Sequence, residues 1–275
     1  MNNLTCTQQD PSQWALDGFL THIKSLDTGL SAVTAIMGRF SLERFDPGLY
    51  PRAGVDFPPD VVRSVRSRQA EYLAGRWLSR QLWTKRNVTP VQLGSGAHRQ
   101  PIWPSGWVGS ISHTSTIAVS CLAKSCEVGL LGLDLENWLA PEVADRISAT
   151  IVDRREARYL GVQGPFEQML TLAFSAKESL FKAVFPQVGC YFDFDAVRLV
   201  EIHWPSGRLV LKVTQDLSTS IRSGMLFEGY FQMWAGAVFT IIARPPNAFR
   251  STRERFRDHW ADCPRRLHDP TITPT

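Results

Sequence analysis

The sequence predicts an α+β fold in which long helices accompany antiparallel strands. Three observations predict it. Asp60 to Arg86 sets Val61, Val65, Tyr72, Leu73, Leu78 and Leu82 near helical spacing, with Arg and Gln on other faces. A second helical run, Phe166 to Phe185, opens after Gly164-Pro165 and is expected to end at Pro186. Beyond Cys190 the pattern turns to strand type at Ala196 to His203, Arg208 to Val213, Leu226 to Trp234 and Ala237 to Ala243.

Between the two helices, Thr116 to Ala123 and Gly129 to Glu136 read as strands separated by the polar Lys124-Ser125-Cys126-Glu127, and are expected to pair as a hairpin. Pro141 to Leu160 reads as one or two helices with polar faces. Pro and Gly punctuate Asp46 to Pro59 and Gly94 to Gly109, which read as loops within a compact body. After Pro246 the chain becomes a basic, aromatic-spotted tail, expected to hold one short helix and a frayed end.

Composition sets outer bounds. The 275 residues suffice for one large core or two moderate ones, and 44 % hydrophobic with 20 % charged residues is ordinary for a packed chain. Thirty Lys and Arg against 26 Asp and Glu leave a net charge of +4, which supports a polyanionic partner only weakly. No nucleic-acid motif is present, so nucleic acid is not an expected partner. The five cysteines form no C-x-x-C pair and their number is odd, which indicates neither a zinc site nor a disulfide framework and points to a reducing cytoplasm. No signal peptide is read at the N-terminus, and Lys124 and Glu127 interrupt the most apolar stretch, so no membrane span is expected.

Several residues could carry chemistry. Period-two alternation places Gly132, Asp134 and Glu136 on one face of their strand and Leu131, Leu133 and Leu135 on the other. The two carboxylates then lie ~7 Å apart at Cα, from a rise of about 3.3 Å per residue. Such a pair suits a hard divalent cation, and equally suits the solvated acidic face of a half-buried strand. Glu178 and Lys182 stand one helical turn apart on the side of Thr171 and Ser175, where they read as an exposed i,i+4 pair, and Ser175 with Glu178 also matches a capping box. Lys177 projects into the apolar arc of Phe166, Leu170, Ala173 and Val184, so it must snorkel or meet an anion. Ser112 and His113 are expected where a loop enters a strand, with His113 a core residue, a base or a donor to phosphate. Arg63, Arg66, Arg68 and Arg76 crowd one helical region and read either as a solvated basic face or as a phosphate site. Gly94-Ser-Gly96 lacks the context of a dinucleotide or Walker-type loop.

Taken together, RQAEYLAGRW at 68–77, PIWPSGWVGSISHT at 101–114, GLDLE at 132–136 and FSAKESLFKAVFP at 174–186 resemble the 4'-phosphopantetheinyl transferases of the surfactin- and enterobactin-synthase kind. The order and spacing of four motifs over more than one hundred residues make the resemblance specific. It implies a pseudo-twofold pair of similar α+β halves, 1–127 and 128–246, with coenzyme A in the cleft between them and the basic tail at 247–275 outside that frame. It further implies Mg²⁺ on Asp134, Glu136 and Glu178, with Glu178 also the general base and Lys182 stabilising phosphate charge. The implied coenzyme A contacts are Arg68, Arg76, Ser112, His113 and Lys177.

The partner implied is an acidic acyl or peptidyl carrier protein, whose serine attacks coenzyme A without a covalent enzyme intermediate. A monomer acting in siderophore or secondary-metabolite biosynthesis is the expectation. One departure stands out, because GSGAHRQPIWP lacks the lysine expected before Pro-x-Trp-Pro, leaving His98 or Arg99 as substitutes. Two other readings are a serine acyl hydrolase using Ser179 and Lys182, without its companion motifs, and a non-catalytic basic binding module.

Overall fold

A computed structural model describes Leu16 and residues 18–246. The chain opens with β1 (Leu20–Leu26) and β2 (Thr34–Phe40), followed by the short helices α1 (Leu49–Ala53) and α2 (Pro59–Val62) and the long helix α3 (Arg66–Lys85). A small hairpin, β3 (Gly94–Ser95) and β4 (Pro101–Ile102), precedes β5 (Trp107–His113) and β6 (Ile117–Lys124). Next come β7 (Leu130–Asn137), α4 (Pro141–Ile151), α5 (Arg154–Gly161) and α6 (Phe166–Val188). The last strands are β8 (Val197–His203), β9 (Arg208–Val213), β10 (Leu226–Met233) and β11 (Ala237–Arg244).

These elements form an α+β fold with two sheet-containing halves. One sheet has the order β1-β2-β6-β5 and the other β7-β11-β10-β9-β8, with every pairing antiparallel. Helix α3 covers the first sheet, where Leu73, Leu78, Leu82 and Trp83 share a core with Ile36, Ala118 and Leu122. Helix α6 covers the second, with Leu172, Ala176 and Leu180 against Leu130, Val238 and Ile242. A third core lies between the sheets, where Leu131, Leu133 and Leu135 meet Ala35, Met37, Val119 and Cys121. Each fully buried leucine contributes about 1.5–3 kcal/mol through apolar burial, so the two halves are held together by hydrophobic contact.

Three expectations need correction. The segment Asp60 to Arg86 is two helices, because Ser64 Oγ donates to Val61 O at 2.7 Å and Gln69 Nε2 donates to Val62 O at 2.9 Å, closing α2 before α3 begins. Pro186 does not end α6. The helix runs to Val188 and stops at Gly189, whose φ of +75° is the left-handed conformation glycine supplies without a Cβ clash. The predicted hairpin of β6 and β7 is absent: β6 lies between β2 and β5, while β7 is the edge of the other sheet. Gly129 N donates to Arg244 O at 2.7 Å, committing the chain to β11 at the crossover. The expected tail helix lies outside the described residues.

Two edge strands, β5 and β7, meet where the halves join. Ser110 stitches them, its Oγ accepting from Leu133 N at 3.1 Å. Gly132 on β7 faces α6, and a methyl at that position would collide with the carbonyl of Ser179 and the backbone of Ala183. Glycine therefore permits the helix to lie directly on the strand that carries Asp134 and Glu136.

Candidate active site in the cleft between the halves

The junction opens into a cleft of about 970 Å³. Helix α3 supplies Arg68, Glu71, Tyr72 and Arg76, β5 supplies Ser112 and His113, β7 supplies Asp134 and Glu136, and α6 supplies Glu178 and Lys182. Of the nine predicted site residues the fold brings eight to this one cavity.

At its acidic end, Asp134 is 2 % exposed, and burying a carboxylate is costly unless it is paired. Lys182 Nζ donates to Asp134 Oδ1 at 2.6 Å and to Ser112 Oγ at 3.0 Å, while Ser112 Oγ donates to the same Oδ1 at 2.8 Å. Asp134 Oδ2 is buried with no hydrogen-bond partner. The acidic strand is thus not the solvated face that alternation alone allowed. Burial, with the like charges of Asp134 and Glu178 behind it, pushes the Glu136 carboxyl up to about 8. Burial also raises Glu178, with Lys182 opposing and Asp134 adding to the rise. Among the described residues no three His, Cys, Asp or Glu side chains are gathered closely enough to hold a metal ion as they stand.

The basic end is built on α3. Arg68 Nη1 lies 3.1 Å from His113 Nε2, and Glu71 Oε2 lies 3.6 Å from the first and 3.5 Å from the second. Burial lowers the His113 pKa, helped by the charges of Arg68 and Lys182 and opposed by Glu71. The Arg76 guanidinium sits over the Tyr72 ring at 4.9 Å and donates to Ser95 Oγ at 3.0 Å. Its Nη1 is buried without a partner, and burial lowers its pKa. Ser112 and His113 prove to be the last residues of β5 rather than its entry, Ser112 reaching Asp134 and Lys182 and His113 reaching Arg68 and Glu71 on α3.

An aromatic wall closes one side. The His98 ring stands 5.4 Å from Phe185 and 5.0 Å from Tyr191, and Tyr191 Oη donates to His98 O at 3.3 Å. Its neighbour Arg99 lines the cleft with a left-handed φ of +64°, a strained backbone for a residue other than glycine.

Lys177 is the exception, and its implied contact with coenzyme A is corrected by where it lies. It is 3 % exposed and outside the cleft lining. Nζ donates to Ile151 O at 2.7 Å, Glu156 Oε2 at 2.8 Å and Phe194 O at 3.2 Å, so all three ammonium protons are engaged. Ser179, the nucleophile of the hydrolase reading, is fully buried and donates to Thr240 O at 3.1 Å. Glu71 was missed by sequence reasoning, although its three-residue spacing from Arg68 was readable. The aromatic wall was missed as well, and no local pattern announces it.

The cavity thus carries guanidinium and imidazole groups at one end and carboxylates at the other, between two sheet-and-helix halves. Residues 59–123 match the family described as 4'-phosphopantetheinyl transferase N-terminal domain, and residues 130–230 match the 4'-phosphopantetheinyl transferase superfamily. Enterobactin synthase component D of Salmonella typhimurium is 40 % identical over 126 residues, covering 45 % of this chain and 52 % of that protein. The Escherichia coli protein of the same name is 36 % identical over 143 residues, covering 50 % of this chain and 67 % of its own. The 4'-phosphopantetheinyl transferase Svp of Streptomyces mobaraensis is 29 % identical over 187 residues, covering 66 % of this chain and 75 % of that protein. Against the three Salmonella relatives the match spans 52 %, 60 % and 59 % of their length. The chain belongs to the 4'-phosphopantetheinyl transferase superfamily.

Proposed function

We propose that this chain transfers the phosphopantetheine arm of coenzyme A to a serine of an acyl or peptidyl carrier protein, releasing 3',5'-ADP. The observation that carries the reading is the joining of Asp134, Ser112 and Lys182 by hydrogen bonds in a cleft that also holds Glu136, Glu178, Arg68, Arg76 and His113. Relatives named 4'-phosphopantetheinyl transferase support it, and those named enterobactin synthase components favour a carrier from siderophore or other secondary-metabolite biosynthesis. The division of labour follows the sheets, with 1–127 supplying Arg68, Arg76 and His113 and 128–246 supplying Asp134, Glu136, Glu178 and Lys182.

The donor set fits Mg²⁺. Asp134 Oδ2 is a buried acceptor without a partner, and burial, with like charge nearby, raises Glu136 and Glu178, so a hard cation answers both. Asp134, Glu136 and Glu178 would hold it, their convergence requiring the glutamate side chains to rotate. When bound it would supply charge neutralisation at the pyrophosphate.

The serine hydroxyl attacks the β-phosphorus, forming the new O–P bond as the bond to 3',5'-ADP breaks. Glu178 takes the serine proton, directly or through water, burial raising its proton affinity above that of an ordinary carboxylate. Lys182 donates its Nζ hydrogens to the departing phosphate oxygens, where a fixed cation counters developing charge. Arg68, His113 and Arg76 bind the other phosphate oxygens of coenzyme A. Arg76 has a buried donor to spare, and Arg99 offers the cation that the hairpin otherwise lacks.

An acidic carrier would be steered by the modest positive excess, so encounter should slow with salt. Cytoplasmic action as a monomer completes the proposal. Among the described residues no helix is long and apolar enough to cross a membrane. The test is incubation with coenzyme A, Mg²⁺ and an apo carrier, followed by intact mass of the carrier. Gain of one phosphopantetheine supports the reading, and no gain across fatty-acid, polyketide and peptide-synthetase carriers refutes it.

A further inference from the structure

Chemistry at the acidic end depends on how two elements stand against each other, because Asp134 and Glu136 ride on β7 whereas Glu178 and Lys182 ride on α6. The contacting side of α6 carries Ala176, Ser179 and Ala183, which are small and fully or almost fully buried. Small side chains interdigitate little, so on this face the axial register rests less on shape than it does where Leu172 and Leu180 pack against Leu130, Val238 and Ile242. A slide of one residue is 1.5 Å, enough to break the 2.6 Å contact between Lys182 and Asp134.

Directional bonds add to that packing, and they converge on one residue. Thr240 of β11 is fully buried and pairs in register with Asp134. Thr240 Oγ1 lies 2.9 Å from Ser175 Oγ and 2.7 Å from Ser179 Oγ, and Ser179 Oγ also donates to Thr240 O at 3.1 Å. Ser175 and Ser179 are one turn apart on α6 and alternate with Glu178 and Lys182 along the same side. If Ser179 donates to the carbonyl, Thr240 to Ser179 and Ser175 to Thr240, every hydroxyl proton is used and two successive turns are pinned to one point beside Asp134.

We propose that Thr240 is a positioning residue that sets the axial register of α6 against β7, and so the separation of Glu178 and Lys182 from Asp134 and Glu136. The inference rests on the metal-assisted transfer reading. It assigns Thr240 no contact with substrate.

The test compares Thr240→Val, which keeps shape but removes the hydroxyl, with Thr240→Ser, which restores the hydroxyl without the methyl. Mn²⁺ binding is read by electron paramagnetic resonance on the full chain without coenzyme A, and kcat and KM for coenzyme A are read separately. Thr240→Val should weaken Mn²⁺ binding and lower kcat by on the order of tenfold to a hundredfold. Its KM for coenzyme A should change less than about threefold, because Arg68, Arg76 and His113 belong to the other half. Thr240→Ser should recover most of both. If Thr240→Val does not fold, Ser175→Ala removes one of the pinning bonds and should show the same losses in smaller degree. A Thr240→Val chain that binds Mn²⁺ and turns over like the parent overturns the inference, as does a Thr240→Ser chain no better than the valine variant. A parent chain that neither binds Mn²⁺ nor transfers overturns the functional reading and this inference together; a parent active in both, with variants unchanged, overturns this inference alone.

Discussion

Lys182 Nζ stands 2.6 Å from Asp134 Oδ1, an ion pair between a helix and an edge strand in which the lysine is 27 % exposed and the aspartate only 2 %. The asymmetry matters. Lys182 can swing to solvent or to a phosphate, whereas Asp134 cannot leave.

Removing the ammonium therefore strands a buried carboxylate. Lys182→Met should lose at least about 1–3 kcal/mol of stability, the cost of an unsatisfied buried polar group. Added Mg²⁺ should recover part of it, because a ligand of the native state stabilises by mass action. Thermal denaturation with and without Mg²⁺ reads both effects. A melting temperature equal to that of the parent would show that the pair contributes nothing.

Glu178→Gln keeps shape and removes the proton acceptor. Carrier modification should fall about 10²- to 10⁴-fold, the usual worth of a positioned base, with the circular dichroism spectrum unchanged. Asp134→Ala should likewise abolish transfer in a folded chain. Full activity in either, measured by carrier mass, removes that residue from the chemistry.

Lys177 and Glu156 form a buried pair whose role is architectural. Glu156 Oε1 also accepts from Leu199 N at 2.8 Å, so the pair ties α5, α6 and β8 together. Lys177→Met should cost about 3–5 kcal/mol, as breaking one side of a buried pair does, while KM for coenzyme A stays within about twofold in the folded fraction. A variant of unchanged stability with KM raised tenfold would return Lys177 to the phosphate site.

His113 should be neutral in the free chain at pH 7. Burial lowers its pKa below the ordinary 6.5, so between that value and the lower native one the unfolded chain binds the extra proton. The group contributes nothing to pH dependence well above 6.5 and removes stability as pH falls through 6.5 toward the native pKa. A phosphate bound beside it should raise the pKa. Imidazole NMR titration with and without coenzyme A measures the direction, and a downward shift on binding would place the phosphate elsewhere.

Gly132→Ala should be the most damaging of the small changes, since the added methyl meets the backbone of α6. Overpacking of about 1–3 kcal/mol is expected, with loss of transfer as the helix lifts from the acidic strand. Denaturant unfolding together with the carrier assay separates the two consequences.

Helices α3 to α6, strands β6 to β11 and the acid-bearing face of β7 were legible because each follows from a local period, whereas α1 and β3 to β4 lie in segments read as loops and β1, β2 and β5 were not read. Pairing was not legible. The run from Lys124 to Gly129 reads as a turn, and only the bond from Gly129 to Arg244, more than a hundred residues away, shows that it crosses between sheets. In the same way the sequence pattern sets Lys177 among apolar neighbours but is silent about Glu156, which meets it from another helix.

By itself the sequence determined the long helices, the strands of the second sheet and that Asp134 and Glu136 would share a face, since side-chain direction repeats with the backbone; the two-halved fold was only implied by the family resemblance. It also determined which motifs resemble the superfamily. Tertiary structure alone decided that Asp134 is buried, that Lys182 and Ser112 meet it, and that Lys177 turns away from the cleft. Those outcomes depend on the approach of α6 to β7 over Gly132, a close packing that joins residues distant in the chain and leaves no local periodic trace.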